Sequence, residues 1–264
     1  MAGTDRTQAL ILGGPAVVLA RPQLGENIGS AARAMLNFGL SDLRLVQPRQ
    51  GWPNERAVAA SSGAEEVISR ARVFDSTPEA LADLQHVYAA TARPRDMEKM
   101  VLSAEEGAQR LHEHIARGDT AGVLFGPERT GLHNDELAMA DAVIAIPANP
   151  GFASLNLAHS VLLIGYEWFL GAKHDETARG PVRRRGRRSG KAPNKEVLEM
   201  FAHLERELDA ARFFWPNEKA KRMARNIRNM YLRAGLTEQD VRTMRGIIKA
   251  LVEGNPRARR DYKD

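Results

Sequence analysis

The 264-residue chain contains no cysteine. That excludes a disulfide framework, thiolate metal ligands and a cysteine nucleophile, and it fits a reducing compartment; a cytoplasmic protein is expected. Long apolar runs are also missing. The longest, "VLLIGYEWFLGA", is interrupted by Glu167 and is shorter than a bilayer-spanning segment, so no membrane is expected as a partner. The opening "MAGTDRTQ" has neither a secretory nor a transit-peptide character. Phosphate cradles are absent too: "GENIGSA" (25–31) carries G-x-x-x-G rather than G-x-G-x-x-G, and G-x-x-x-x-G-K-[ST] occurs nowhere. No His/Asp/Glu grouping suggests a metal, and none is expected. His112 and His114 are two apart on a predicted helix, so they point to different faces and are expected in solvent.

Acidic residues are missing from one stretch, and there the charge is concentrated. "RGPVRRRGRRSGK" (179–191) holds Arg179, Arg183, Arg184, Arg185, Arg187, Arg188 and Lys191. Seven cations here, against a formal charge of +5 for the whole chain, leave the remainder about two charges negative. Such a block repels itself and, with three glycines and a proline, does not fold alone. It reads as a solvated linker and equally as a strap for phosphates, each contact releasing counterions.

Before this block, β-type runs alternate with helical patterns. Strands are predicted at 16–20, 43–47, 87–91, 122–126 and 143–147, and helices at 28–38, 55–70, 78–84 and 103–117. Several of the runs are apolar throughout, the pattern of strands covered on both faces, so the fold class is α/β with a mostly parallel sheet. A long helix over 154–172 closes the region, with Ser154 near its start. After the block, three helical patterns follow and the strand signal stops. Their apolar faces hold Val197, Phe201, Leu204 and Leu208; then Ala220, Met223, Ile227 and Tyr231; then Val241, Met244, Ile248 and Leu251. Thr237 and Asp240 have capping-box spacing. The expected organisation is a catalytic domain over 1–172, an Arg-rich flexible linker over 173–193 and an α-helical domain over 194–260.

In "ENIGSAARAMLNFG" (26–39), Ile28, Ala31, Ala32, Met35 and Leu36 form one apolar stripe, with Asn27 expected to cap the helix start and Gly39 its end. Arg33 lies roughly 130° away from that stripe at about 100° per residue. Three strand ends carry dense polar or backbone-fixing residues: "ATARPR" (90–95), "FGPERTGLHNDEL" (125–137) and "IPANPGFASLNLAHS" (146–160). Ser154 in the last could simply cap a helix.

"NIGSAARAM", "LFGPERTGL" and "IPANPGFASLNLAHSV", in this order, resemble the three motifs of the SpoU branch of the SPOUT RNA 2′-O-methyltransferases. The likeness is nearest to the TrmJ subfamily, whose members methylate the ribose of the pyrimidine at position 32 of the tRNA anticodon loop. "LTEQDVRTMRGIIKAL" (236–251) resembles that subfamily's helical extension. The resemblance implies a SPOUT-type parallel sheet with a deep trefoil knot, a homodimer, tRNA as partner and S-adenosylmethionine as cofactor. That cofactor has no phosphates and needs no phosphate cradle. By position, the resemblance assigns cofactor contacts to Ala90, Thr91, Ala92, Gly126, Ile146, Ala153, Ser154 and Leu155. It assigns catalysis to Arg33, supported by Ser154, Asn27 and Glu128, with Glu128 able to orient Arg33 from the partner chain. RNA contacts are expected from Arg33, Arg183, Arg184, Arg185, Arg187, Arg188, Arg222 and Arg225. A ribosomal RNA 2′-O-methyltransferase and a non-catalytic RNA-binding protein are the alternatives. One departure is Pro127, where TrmJ relatives often carry a basic residue.

Overall fold

The computed structural model describes Thr7 and residues 9–91, 99–175 and 190–253. Ala92 and the linker residues Arg183, Arg184, Arg185, Arg187 and Arg188 lie outside these.

Seven strands form one parallel sheet: β1 (Ala16–Ala20), β2 (Leu43–Val46), β3 (Arg72–Phe74), β4 (His86–Ala90), β5 (Met100–Leu102), β6 (Ala121–Phe125) and β7 (Ala142–Ile144), in the order β3-β2-β1-β6-β4-β7-β5. The apolar runs are continuous because both faces are covered. Val17, Leu19, Leu43, Leu45, Val123 and Phe125 point into one core; Ala16, Val18, Ala20, Val46 and Leu124 point into the other. Each large side chain so buried contributes about 1.5–3 kcal/mol. Four strands fall within a residue of the sequence reading, and β7 ends at Ile144, three residues before the predicted 147. The two missed, β3 and β5, have three residues each at the sheet edges, too short to show a period. The predicted knot is a matter of chain threading, which strand order and register do not express.

Helix α1 (Gly25–Asn37) packs on α2 (Glu55–Ser61). The glycine pair of "GENIG" makes this approach possible. A Cβ on Gly29 would lie 2.1 Å from the Ala57 carbonyl oxygen, and one on Gly25 would lie 2.2 Å from Asn54 Oδ1. The G-x-x-x-G spacing is therefore a helix-packing device. Asn27 does not cap α1. The N-cap position is Leu24, without a side-chain cap, and the Gly25 N–H donates to Gln50 Oε1 instead. Gly39 does close the helix: its N–H bonds the Leu36 carbonyl and the Leu40 N–H bonds that of Met35, a Schellman arrangement.

The helix predicted over 55–70 is two, α2 and α3 (Glu65–Ser69), broken where Ser62 and Gly63 adopt positive φ. Then come α4 (Thr77–Leu81), α5 (Ala104–Ala116), the short α6 (Asn134–Leu137), which the sequence reading missed, and α7 (Leu157–Asp175). α7 begins after the predicted 154, because Asn156 rather than Ser154 caps it: Asn156 Oδ1 accepts from the Ala158 N–H at 2.8 Å.

The C-terminal helices α8 (Asn194–Ala210), α9 (Ala220–Arg233) and α10 (Glu238–Glu253) enclose a small core of Val197, Met200, Phe201, Leu236 and Val241. The Thr237–Asp240 capping box is present, whereas Leu251, expected on the apolar face, is 81% exposed. This bundle is sewn to the first domain. The Asn194 and Lys195 N–H groups donate to the Leu84 and Ala82 carbonyls, Lys191 pairs with Asp141 at 2.5 Å, and Ala192 is buried. Lys191 and Ala192 lie in the range read as linker, yet they pack against the fold.

Candidate active site at the carboxyl ends of the strands

In open parallel sheets, ligands settle beyond the carboxyl ends of the strands, where loops diverge and unpaired backbone groups face outward. Here β4, β6 and β7 end side by side and their loops enclose a cavity of about 620 Å³. That lies within the roughly 300–1,000 Å³ that takes cofactor-sized molecules. Of the residues assigned to a cofactor, Ala90, Thr91, Gly126, Ile146, Ala153, Ser154 and Leu155 all line it, together with Glu128. Three strand ends and their loops, far apart in sequence, thus converge on one space.

Gly126 shapes that space. A Cβ there would stand 2.3 Å from the Leu132 nitrogen, so any side chain would push apart the loop that Pro127–Gly131 folds back over the strand. The loop is held from below by Glu136, which accepts both guanidinium hydrogen bonds of Arg21, at 2.6 and 2.8 Å, and one from Thr77. Burial alone would raise the Glu136 carboxyl; the bonds from Arg21 and the His133 N–H outweigh it and hold it below the usual carboxylate range. Neither Arg21 nor Glu136 stood out in sequence.

Beside the cavity, the three motifs are joined by side chains. Asn27 Nδ2 donates to Glu128 Oε1 at 2.6 Å, and Asn27 Oδ1 accepts from Asn156 Nδ2 at 3.0 Å. Glu128 Oε2 takes the Gln23 N–H at 3.0 Å. Glu128 is therefore engaged within its own chain by Asn27 and Gln23. Asn156 was part of the quoted third motif but had no role assigned to it; its position directly before an apolar helix was the available signal.

Arg33 is exposed on the outer stripe of α1 with Glu26, Ser30 and Asn37, and it is not among the residues lining the cavity of its own chain. Among the described residues it has no hydrogen bond or ion pair. Arg222 is likewise exposed, while Arg225 pairs with Asp135 of α6 at 3.3 Å.

The histidine expectations are overturned. His112 lies flat against Trp168, ring centroids 3.7 Å apart, and His114 stacks on His86 at 3.4 Å and meets the Tyr88 hydroxyl at 3.0 Å. Their helix packs against α7 and the sheet, so neither faces open solvent. A His86–His114–Asp119 cluster does exist, at the amino ends of the strands, away from the cavity. Lys191 Nζ can only donate, so His86 Nδ1 accepts from it at 3.1 Å and Nε2–H is left to bond Asp119 at 3.2 Å. Both nitrogens are occupied, and parallel rings do not aim their lone pairs at one point. Burial, then the Lys191 cation, pushes His86 down to about 4; burial, then His86, does the same to His114.

Residues 14–166 match the SpoU rRNA Methylase family, and residues 195–262 match the C-terminal domain of the tRNA methyltransferase TrmJ. The tRNA (cytidine/uridine/adenosine-2′-O-)-methyltransferase TrmJ of Pseudomonas aeruginosa (strain UCBPP-PA14) is 36% identical over 237 residues, spanning 88% of this chain and 91% of its own. The tRNA (cytidine/uridine-2′-O-)-methyltransferase TrmJ of Klebsiella pneumoniae is 35% identical over 246 residues, spanning 90% and 96%. The crystal structure of TrmJ from Z. mobilis ZM4 superposes with a TM-score of 0.80 at 44% identity, covering 90% of this chain and 99% of that one. The chain belongs to the SpoU family of RNA methylases. Within that family its similarity runs through both the catalytic and the C-terminal regions of the TrmJ enzymes.

Proposed function

We propose that this chain is an S-adenosylmethionine-dependent tRNA 2′-O-methyltransferase, acting as a cytoplasmic homodimer on the ribose of the pyrimidine at position 32 of the anticodon loop. The observation that supports it most is the hydrogen-bonded meeting of Asn27, Glu128 and Asn156 beside a cavity built from all three strand-end loops.

The donor set suits this cofactor. The cavity offers apolar walls from Phe125, Ile146, Ala153 and Leu155, and hydroxyls from Thr91, Thr130 and Ser154, with no phosphate cradle. When bound, the cofactor supplies a methyl group activated by a sulfonium. Residues 126–131 and 150–155 hold and orient it, and alignment with a ribose oxygen can contribute several kcal/mol. Arg33 stays protonated, because a guanidinium is effectively never deprotonated in proteins. Its work is to clamp the phosphate beside the target ribose and to stabilise negative charge growing on the 2′-oxygen. It does this in the partner's site, since its own cavity does not include it.

The dimer is supported by an apolar face. Leu162, Leu163 and Tyr166 are exposed along α7, and Tyr166 sets its ring edge-on to Phe38, directly after α1. Trp168 and Phe169, further along the same helix, are half-buried. Pairing through this face would cover it and bring the α1 helices to the interface.

The test is transfer of labelled methyl to tRNA, with mass-spectrometric mapping of the modified ribose. Arg33→Ala is expected to abolish transfer while calorimetric cofactor binding is retained; lost cofactor binding in the folded variant would overturn the assigned role. Methylation of ribosomal RNA alone, or RNA binding without cofactor affinity, would favour the two alternatives.

A further inference from the structure

The loop between α8 and α9 reads "RFFWPNEK" (212–219). Its three aromatic side chains divide sharply. Phe214 is 9% exposed and anchors the loop, whereas Phe213 is 50% and Trp215 is 76% exposed. Phe213 sets its ring edge-on to Phe214 at 5.6 Å. The backbone is pinned: the Arg212, Phe213 and Trp215 N–H groups bond the Asp209, Leu208 and Phe213 carbonyls. An exposed indole on a pinned loop leaves out of contact a large part of the roughly 150–250 Å² an aromatic side chain can bury, and the loop's own core does not use it.

The surroundings are basic. Glu218 is the only acid between residues 210 and 233. Arg212, Lys219, Lys221 and Arg222 are exposed and, among the described residues, have no side-chain hydrogen bond or ion pair. Arg225, about 7.5 Å further along α9 from its first residue, pairs with Asp135 of α6, directly beyond the loop that lines the cavity. The platform is thus carried by a helix fastened to the flank of the catalytic site.

A flat aromatic face ringed by free cations suits one chemistry: an unpaired base stacked on the ring with its flanking phosphates held by the cations. We propose that Trp215, with Phe213, is a stacking platform for an unpaired base of the RNA substrate, and that Arg212, Lys219, Lys221 and Arg222 grip the adjoining phosphates. The substrate class rests on the function proposed above.

The experiment is equilibrium binding of unmodified tRNA to the full-length protein without cofactor, read by tryptophan fluorescence and by filter retention. The tRNA is expected to quench the Trp215 emission. Trp215→Ala is expected to weaken tRNA binding roughly 5- to 150-fold, the range for one stacked base. It should raise KM for tRNA with kcat and cofactor affinity unchanged. Trp215→Phe should retain most of the affinity. Lys221→Ala and Arg222→Ala should each lower the salt dependence by about one phosphate contact, which Trp215→Ala should not. Unchanged tRNA affinity in Trp215→Ala would overturn the platform, as would a shift to monomer in sedimentation, which would make the loop a contact between copies. If the protein methylates no tRNA but binds it through Trp215, the platform stands and the enzymatic reading falls. If it methylates tRNA without needing Trp215, only the platform falls.

Discussion

Asn27 in α1 donates its amide hydrogen to Oε1 of Glu128, 2.6 Å away and 101 residues later in the chain. Its carbonyl oxygen accepts from Asn156, whose own oxygen caps α7. An amide in the middle of such a chain has both ends assigned, so it cannot flip, and each motif is held at a set distance from the next.

Asn156→Ala removes the α7 cap and the donor to Asn27 together. The cap alone is worth about 0.5–2 kcal/mol. Thermal unfolding is expected to show a loss at or above the upper end of that range, with methyl transfer reduced more than stability accounts for. Asn156→Asp should keep the cap and recover stability but not transfer, since it cannot donate to Asn27.

Gly126→Ala places a Cβ where the Leu132 nitrogen and the Gly131 carbonyl carbon leave no room. Because the obstacle is backbone, the loop over 127–131 must move. Calorimetry should show cofactor affinity reduced at least ten-fold, with a stability loss of about 1–3 kcal/mol.

Arg33 acting across a dimer can be checked by mixing. Arg33→Ala and Gly126→Ala protomers are each expected to be inactive. Mixed and allowed to exchange, half the dimers hold one site with an intact cavity and an intact Arg33, so roughly a quarter of full activity should return. No recovery would remove the cross-subunit assignment. Leu163→Arg, which charges the exposed face of α7, is expected to give an inactive monomer by sedimentation.

His86 and His114 titrate near 4 in the folded chain against 6.5 when free, so the unfolded chain takes up these protons first. Stability is therefore full above pH 6.5, falls as the pH drops toward 4 and levels below it. The loss for His86 is on the order of 3 kcal/mol from its shift. Protonated His86 would also face the Lys191 cation, so separation of the helical bundle should accompany the loss. Denaturant titrations across this range check the slope, which His86→Gln should flatten.

Much of the sheet was legible in sequence because its central strands are covered on both faces: a run such as "AVVLA" has no alternation and needs none. The edge strands β3 and β5, half exposed and three residues long, carry no such signal. All three strand-end clusters could be picked out by their dense polar or backbone-fixing residues, and the resemblance placed seven described residues that share one cavity.

Local chemistry by itself determined where the central strands run, where α10 is capped and where charge collects, since those depend on neighbours within a few residues. Only the tertiary structure decided that Gly25 and Gly29 serve helix packing, that Asn156 rather than Ser154 caps α7, and that the histidines stack in the interior. It likewise set Arg33 apart from the cavity of its own chain. Those outcomes depend on which atoms from distant segments meet, and contact distances of 2–4 Å between such segments leave no periodic trace in a sequence.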